Sequence, residues 1–510
     1  MRPVQSLAVC IAEAFNESFT GSGRSESQAS FIHRCPLIAD FPKNSMPIRN
    51  KTGSGGEIRR ALQHFTNRRN AIRHFAGYLN DDPATEKILF FHGDGGNGKT
   101  ILLRFLKEKC CKRLDADNWE RVKSLEGEDF IENFAGAVDC AEAPFTLPST
   151  LPSTLIDFGM EPRGECRPKE AFSALMKMRK DLSGSGLRFP LYDFACALYL
   201  HETGRLTPDR QKELFPSEER DFVKHAINVI KAAHVDDLAK VVFCLFKEHL
   251  RDQFTPYMNA RKIDEEQVRG IKSMDPESDL YGLFPALFAE DLNASMALQG
   301  APRRVVLFFD THEAFWEVSE RRFYDEKYFL GDEWLRRLLS TLELSRGIIA
   351  VVAGREEPRW AEAATENIPA EHVDTYLLGG LSFADAALYL EKVEILDRKM
   401  KESLLAYALI GPDEVHPLHL ALCADIALAA KRSEKGIAAE EFREIPDVAL
   451  KGKELMDRLR KYVDRPTEYA ISALSACRSF DRDLYVSLME GLWLGFSREG
   501  FDYLTEFSFV

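Results

Sequence analysis

Residues 93–100 read Gly93-Asp94-Gly95-Gly96-Asn97-Gly98-Lys99-Thr100, a G-x-x-x-x-G-K-[ST] pattern without exception. Glycines let a backbone fold around a phosphate so that several N–H groups converge on its oxygens. The amino end of a following helix adds positive potential. In such a loop Lys99 bridges the β- and γ-phosphates and the Thr100 hydroxyl holds Mg²⁺. The flanks suit this chemistry. Residues 88–91 read as a buried strand, and TILLRFLKEKC has the apolar periodicity of a helix. A glycine-rich turn that spells the pattern by accident lacks that strand–loop–helix context.

Further positions complete a candidate site. Asp310 closes the apolar run 305–309, where a phosphate-loop fold puts a second metal-associated carboxylate, so Mg²⁺ is assigned to Thr100 and Asp310. Many ATPases carry a glutamate directly after this aspartate to polarise the attacking water. Here that position is Thr311, and the nearest carboxylate is Glu313. Glu313 reads either as a displaced base or as an acidic residue serving the positive end of a helix. A base missing from its usual place predicts slow hydrolysis. Arg355 ends another apolar run, AVVAGRE, at the carboxyl edge of a parallel sheet, where ligands bind. It reads as a γ-phosphate contact or as an ion-pair partner of Glu356 or Glu357.

Other elements must hold these groups in place. The stretches RRVVLFFDTHEAF and RGIIAVVAGREEPRW are continuously apolar, which suits parallel strands covered on both faces. A further strand is predicted at 155–158, after a repeated TLPS unit. Ile72, Phe75 and Leu79 recur at helical spacing ahead of the first strand, and KEAFSALMKMRKDL has one apolar helical face. A long helical pattern opens at Ser217 and runs through Leu250. After about residue 376 the strand signals stop. Ser382 with Asp385 then forms a capping box, and helices dominate to the end.

Composition bounds the setting. A chain of 510 residues, 45% of them hydrophobic, can bury several cores. A net charge of −14 argues against bulk attraction to nucleic acid or to anionic membranes. The ten cysteines form no CxxC pair and no zinc spacing, which suits free thiols in a reducing cytoplasm. No apolar run approaches the roughly 20 residues that a membrane span needs. Residues 1–55, rich in Ser, Gly, Asn and Pro, predict a poorly ordered leader, weak as a signal peptide, with Met46 as an alternative start.

Together these pieces resemble the STAND class of signal-transducing P-loop ATPases, within the AAA+-related branch. The resemblance covers about residues 60–510 and rests on FTNRRNAIRHF, the phosphate loop, VVLFFDTHEAF, GIIAVVAGRE and the helical stretch beginning LLGGLSFADAALYL. It implies that Phe65 and Arg68 lie near an adenine, and that His416 and Pro417, in EVHPLHLAL, form a sensor-like contact from a helical domain. His416 reads equally as a helix cap. Val415 departs from the family's glycine, and the segment of about 210 residues between Lys99 and Asp310 is long for the class.

The domain organisation that follows is a leader at 1–55 and a P-loop ATPase domain at 56–375, its parallel sheet covered by helices on both faces. That domain carries a helical insertion at about 113–300. An all-helical domain follows at 376–448, then a truncated winged-helix module at 449–510 whose last residues, YLTEFSFV, read as a strand. The function implied is a weakly hydrolysing ATP/ADP switch with Mg²⁺, closed on ADP and open on ATP, which assembles with itself or with a protein partner. Two alternatives stand beside it. One is an ATP-dependent DNA-binding regulator, suggested by Arg59, Arg60, Arg68, Arg69 and Arg73. The other is a truncated scaffold that binds nucleotide without signalling.

Overall fold

The computed structural model describes residues 68–510 apart from 126–128, 131–132, 135–148, 161, 163–166, 233–237, 316–328, 330, 434–435, 443–447, 464, 475–481, 492–497, 505–506 and 508–510. The chain divides into two compact units. One holds 68–93 and 102–378; the other holds 94–101 and 379–510.

The first unit is built on a sheet of five parallel strands. Helix α1 (Arg69–Asn80) leads into β1 (Ile88–His92), and the chain returns to this unit at Leu102, inside α2 (Lys99–Phe105). Strand β2 (Ser153–Asp157) precedes a run of helices that includes α3 (Ala171–Asp181), α4 (Pro190–Glu202), α5 (Arg220–Ala232), α6 (Leu238–Leu250), α7 (Phe254–Arg261) and α8 (Tyr281–Met296). Then come β3 (Val305–Asp310), α9 (Glu333–Thr341), β4 (Ile348–Ala353) and β5 (Val373–Leu377). In space the order is β2-β3-β4-β1-β5.

Burial explains which strands were readable. All six residues of β3 and of β4 are buried, hence their unbroken apolar runs. Alternate residues of these strands divide between the two faces. Ile88, Phe90, Leu307, Phe309, Ala350 and Val352 join one large core with α3, α4, α8 and α9. On the other face Phe308 meets Phe75 of α1 with ring centroids 5.7 Å apart.

Several sequence expectations need correction. Strand β5, at the sheet edge beside β1, was not expected, and it carries the sheet past residue 375. Its residues are half-buried or exposed, so it lacks an apolar run. Strand β2 lies inside the 113–300 range, after a helix at Ala116–Lys123, and most of the helices of that range follow it, ahead of β3. The pattern from Ser217 to Leu250 is two helices, α5 and α6, after a short 3₁₀ turn at Ser217–Glu219.

The second unit is helical. Helices α10 (Phe383–Lys392) and α11 (Arg398–Ala408) lead to a two-stranded hairpin (Leu409–Gly411 with Glu414–Val415) and then to α12 (Pro417–Arg432). Ser382 caps α10, accepting from the Asp385 N–H, as expected. The buried Lys451 donates to the carbonyls of Tyr407 (2.8 Å) and Leu409 (3.4 Å), satisfying acceptors left over at the end of α11. Residues 448–504 contribute α13 (Val448–Tyr462), α14 (Arg465–Leu474), α15 (Arg482–Gly491) and α16 (Arg498–Leu504). Among the described residues of 449–510 there are helices and no strand. Tyr503 and Leu504, expected to begin a terminal strand, end α16 instead.

Candidate functional site

The carboxyl ends of the parallel strands carry the residues singled out above. Gly93 continues β1, its N–H donating to the Arg355 carbonyl at 3.1 Å, while Gly354 N–H donates to Phe91 at 3.0 Å. The loop's start is thereby tied to the end of β4. Asp310, 2% exposed, ends β3, and its Oδ1 accepts the Thr311 N–H at 2.8 Å.

Glu313 and Arg355, both candidates for catalysis, meet each other: Arg355 Nε lies 3.1 Å from Glu313 Oε1. The expected alternative partner for Arg355 was Glu356 or Glu357, and Glu357 instead faces His92 at 3.3 Å. Glu313 stands in a 3₁₀ turn, His312–Phe315.

That turn is clamped from behind. His312 Nε2 lies 3.0 Å from Asp332 Oδ2, which also accepts from Trp360 Nε1 at 3.0 Å, and Arg336 Nε donates to Asp332 Oδ1 at 3.0 Å. Burial alone would raise the Asp332 carboxyl, yet the His312 and Arg336 bonds hold it below the ordinary range. A buried aspartate with three donors fixes the backbone on which Thr311 and Glu313 stand.

Sequence reading missed Asp157, which ends β2 directly opposite Asp310 in the register. Its Oδ1 accepts from Thr311 Oγ1 at 3.0 Å and from Gly159 N–H at 2.9 Å. Thr311 has φ 60°, a left-handed backbone that a β-branched residue rarely adopts. Such strain costs on the order of 1–3 kcal/mol and collects at functional sites. The available signal was the parallel between LIDFG and LFFDTH, two apolar runs each closed by an aspartate.

Within the other unit, the loop itself has the backbone that its glycines permit. Gly96 has φ 84° and Gly98 φ 82°. Asp94, Gly95 and Gly96 are exposed, Asn97 is buried, and Thr100 is half-buried. Lys99, 9% exposed, folds back so that its ammonium donates to the Asp94 carbonyl at 2.9 Å. A loop of this backbone shape, with an ammonium turned over it, fits a phosphate in the chemistry of its donors.

His416 packs this loop against the start of α12 within the same unit. Its ring stands over Gly96, while Nδ1 accepts the His419 N–H at 3.3 Å and caps α12. The helix-cap reading of His416 is realised through Nδ1. Pro417 takes the first position of α12, where a missing N–H costs nothing. Burial pushes the His416 ring below its ordinary pKa, which favours the neutral form. His419 stacks on it at 4.1 Å and is pushed down to about 3 by burial and by His416. A Cβ at Gly96 would stand 2.8 Å from His416 Cε1 and 3.0 Å from Leu418 Cβ. Val415 is buried and bridges Leu381 through both backbone groups.

Of the residues tied to adenine, Phe65 lies outside the described residues. Arg68 precedes α1, its carbonyl accepting the Ile72 N–H at 2.8 Å. It lies near Tyr376 of β5, whose hydroxyl burial pushes up and Arg68 draws back down. No family model, curated protein or solved structure matches the chain. Among the described residues no helix is long and apolar enough to cross a membrane.

Proposed function

We propose that the chain is a nucleotide-operated signalling switch of the STAND type, binding ATP or ADP on residues 93–100 and hydrolysing ATP slowly. One observation carries this reading: the exposed Gly96 backbone of the phosphate loop packs on the His416–Leu418 turn that opens α12. A loop that only held nucleotide would not require contact with the first turn of that helix.

In this reading Lys99 pairs with the terminal phosphates, and Thr100 and Asp310 would hold Mg²⁺, which would supply charge neutralisation at the phosphates. Asp310 ends β3 on the same sheet edge from which Gly93 leaves β1, which supports assigning them to one ligand. Arg355, when it leaves Glu313, supplies a guanidinium for the γ-phosphate. Lys99 leaves the Asp94 carbonyl for the phosphate, and the loop backbone adjusts. His416 then passes that adjustment to α12.

For such a switch to move from 1:99 to 99:1, ATP must distinguish the two states by about 5.5 kcal/mol. A γ-phosphate contacted by Lys99, Arg355 and Mg²⁺ is a sufficient source. The ADP form is the closed monomer, and the ATP form assembles with copies of itself or with a protein partner.

The test is the nucleotide content of freshly purified protein alongside its mass in solution, for wild type and Lys99→Ala. Near-stoichiometric ADP on a monomer, with ATP-dependent assembly lost in the variant, is the expected outcome. A site that cannot be loaded would overturn the switch. A variant that only melts earlier would favour a nucleotide-stabilised scaffold.

A further inference from the structure

The amino end of α12 is capped by a group that titrates. Asn, Ser and Thr, common caps, keep their acceptor oxygen at any pH. Here the cap is His416, whose Nδ1 accepts the His419 N–H at 3.3 Å. A ring nitrogen accepts a hydrogen bond only while it carries no proton, and both nitrogens of an imidazolium are donors. The proton that charges His416 therefore enters at the nitrogen that holds the cap. Taking it up and breaking the cap are one event.

The surroundings oppose that proton from several sides. Burial keeps His416 below its ordinary pKa and, with His416 beside it, pushes His419 down to about 3. The two rings stack with centroids 4.1 Å apart. Lys451 of α13, itself buried, adds its ammonium charge against both rings. The backbone N–H groups of the first turn of α12 give that end a positive potential. Two carboxylates act the other way on His416, those of Asp94 in the loop and Glu414 in the hairpin. Gly96 lies in the same unit as α12, and a Cβ there would stand 2.8 Å from His416 Cε1. The neutral ring that caps the helix is thus also the surface on which the loop rests.

We propose that His416, stacked on His419, is an acid-sensitive latch between α12 and the glycine-rich loop: neutral, it caps the helix and supports Gly96, and a proton on Nδ1 releases both. The folded state binds this proton less tightly than the unfolded chain does. The latch's contribution is therefore present above pH 6.5 and is lost as pH falls below it. His416 takes the first proton, and its charge then holds His419 neutral to lower pH. The latch does not depend on what the loop binds.

Hydrogen–deuterium exchange of the full chain tests this, with rates corrected for the intrinsic effect of pH. Two peptides are followed, 94–101 from the loop and 417–423 from the start of α12. In wild type, opening of both is expected to rise as pH falls from about 7 to about 5, by up to about tenfold per pH unit for one proton. His416→Asn supplies an acceptor that does not titrate, so the helix peptide should lose its pH dependence. His416→Ser gives the same comparison if that variant fails to fold. His419→Leu leaves the titrating nitrogen and the backbone N–H of residue 419 in place, and should keep the dependence. Opening that ignores pH in wild type overturns the latch, as does a dependence that survives His416→Asn or disappears in His419→Leu. A rise in the helix peptide alone breaks the link to the loop and overturns the latch as well.

Discussion

Two carboxylates in the first unit meet opposite fates. Glu219, among the inserted helices, is fully buried and surrounded by cations: Arg179 at 2.8 Å, Arg188 at 3.1 Å and His249 at 2.8 Å. Asp157, at the sheet edge, is partly exposed and held by a hydroxyl and a backbone N–H. Burial alone would raise Glu219, but the His249 bond and the charges of Arg179 and Arg188 bring it down to about 2. Such a group cannot take up a proton near neutrality and serves to lock helices together. The contrast is between a carboxylate ringed by three close cations and one held by neutral donors with a single guanidinium, that of Arg104, at 4.0 Å; close cations stabilise the anion.

The strongest way to break that contrast is Arg179→Met. Arg179 is completely buried, donates to Asp193 through Nε and Nη2 at 3.1–3.2 Å, and meets Glu219 as well. Its removal strands the buried Asp193 and takes one of three cations from Glu219. The expected loss is about 3–5 kcal/mol, read by urea denaturation. A loss below about 1 kcal/mol, the scale of a surface pair, would show that the network is not what holds these helices.

Next in size, Lys99→Ala should weaken ADP binding by about 2–5 kcal/mol, the cost of leaving a desolvated charge without its partner. Calorimetry reads it directly. An unchanged affinity would remove the phosphate role from the loop.

The pH dependence sharpens the comparison from the structural side. Burial pushes Asp193 up to about 7, against Arg179 and with Glu219 adding to the rise. Its folded state therefore binds a proton more tightly than the unfolded chain. Stability from this group is present at low pH and declines as pH rises from about 3.8 to about 7. Glu219 has the opposite sign: its contribution is present above 4.5 and is lost as pH falls towards about 2. The network's contribution should thus peak near pH 4–5, with each limb no steeper than about 1.4 kcal/mol per pH unit. Melting temperatures across pH for wild type and Asp193→Asn check this. Persistence of the upper limb in the variant would assign it to other groups.

The smallest effects separate two loop glycines. Gly96→Ala adds a Cβ against His416 and Leu418 on a backbone at φ 84°, and should cost about 1–3 kcal/mol. Gly98→Ala, at φ 82° with nothing within 4 Å of the added atom, should cost about 1 kcal/mol from backbone strain alone. Equal melting temperatures would mean that the His416 contact does not constrain the loop.

Much of the candidate site could be read along the chain, because its signals are local. The loop is one contiguous pattern, and β1, β3 and β4 announce themselves because both faces are buried. The cap of α10 at Ser382 is a three-residue signal. Edge strand β5 was invisible, since Val373, Asp374 and Tyr376 are half-buried and Thr375 and Leu377 exposed, so no apolar run marks it. The ion pair of Arg355 with Glu313 was equally hidden. The sequence offered Glu356 and Glu357 as nearer partners, and only the turn after β3 brings Glu313 to the end of β4.

Residue types and short spacings determined a phosphate-shaped loop, an acidic strand end and an α/β sheet with helices on both faces. Those properties follow from backbone freedom, charge and the period of burial, all of which act over a few residues. The register of β2 on β3 was decided by packing across 154 positions of chain, and it alone sets Asp157 beside Thr311. Hydrogen bonding between parallel strands depends on the whole interposed helical segment folding back, so no local pattern could have specified that pair.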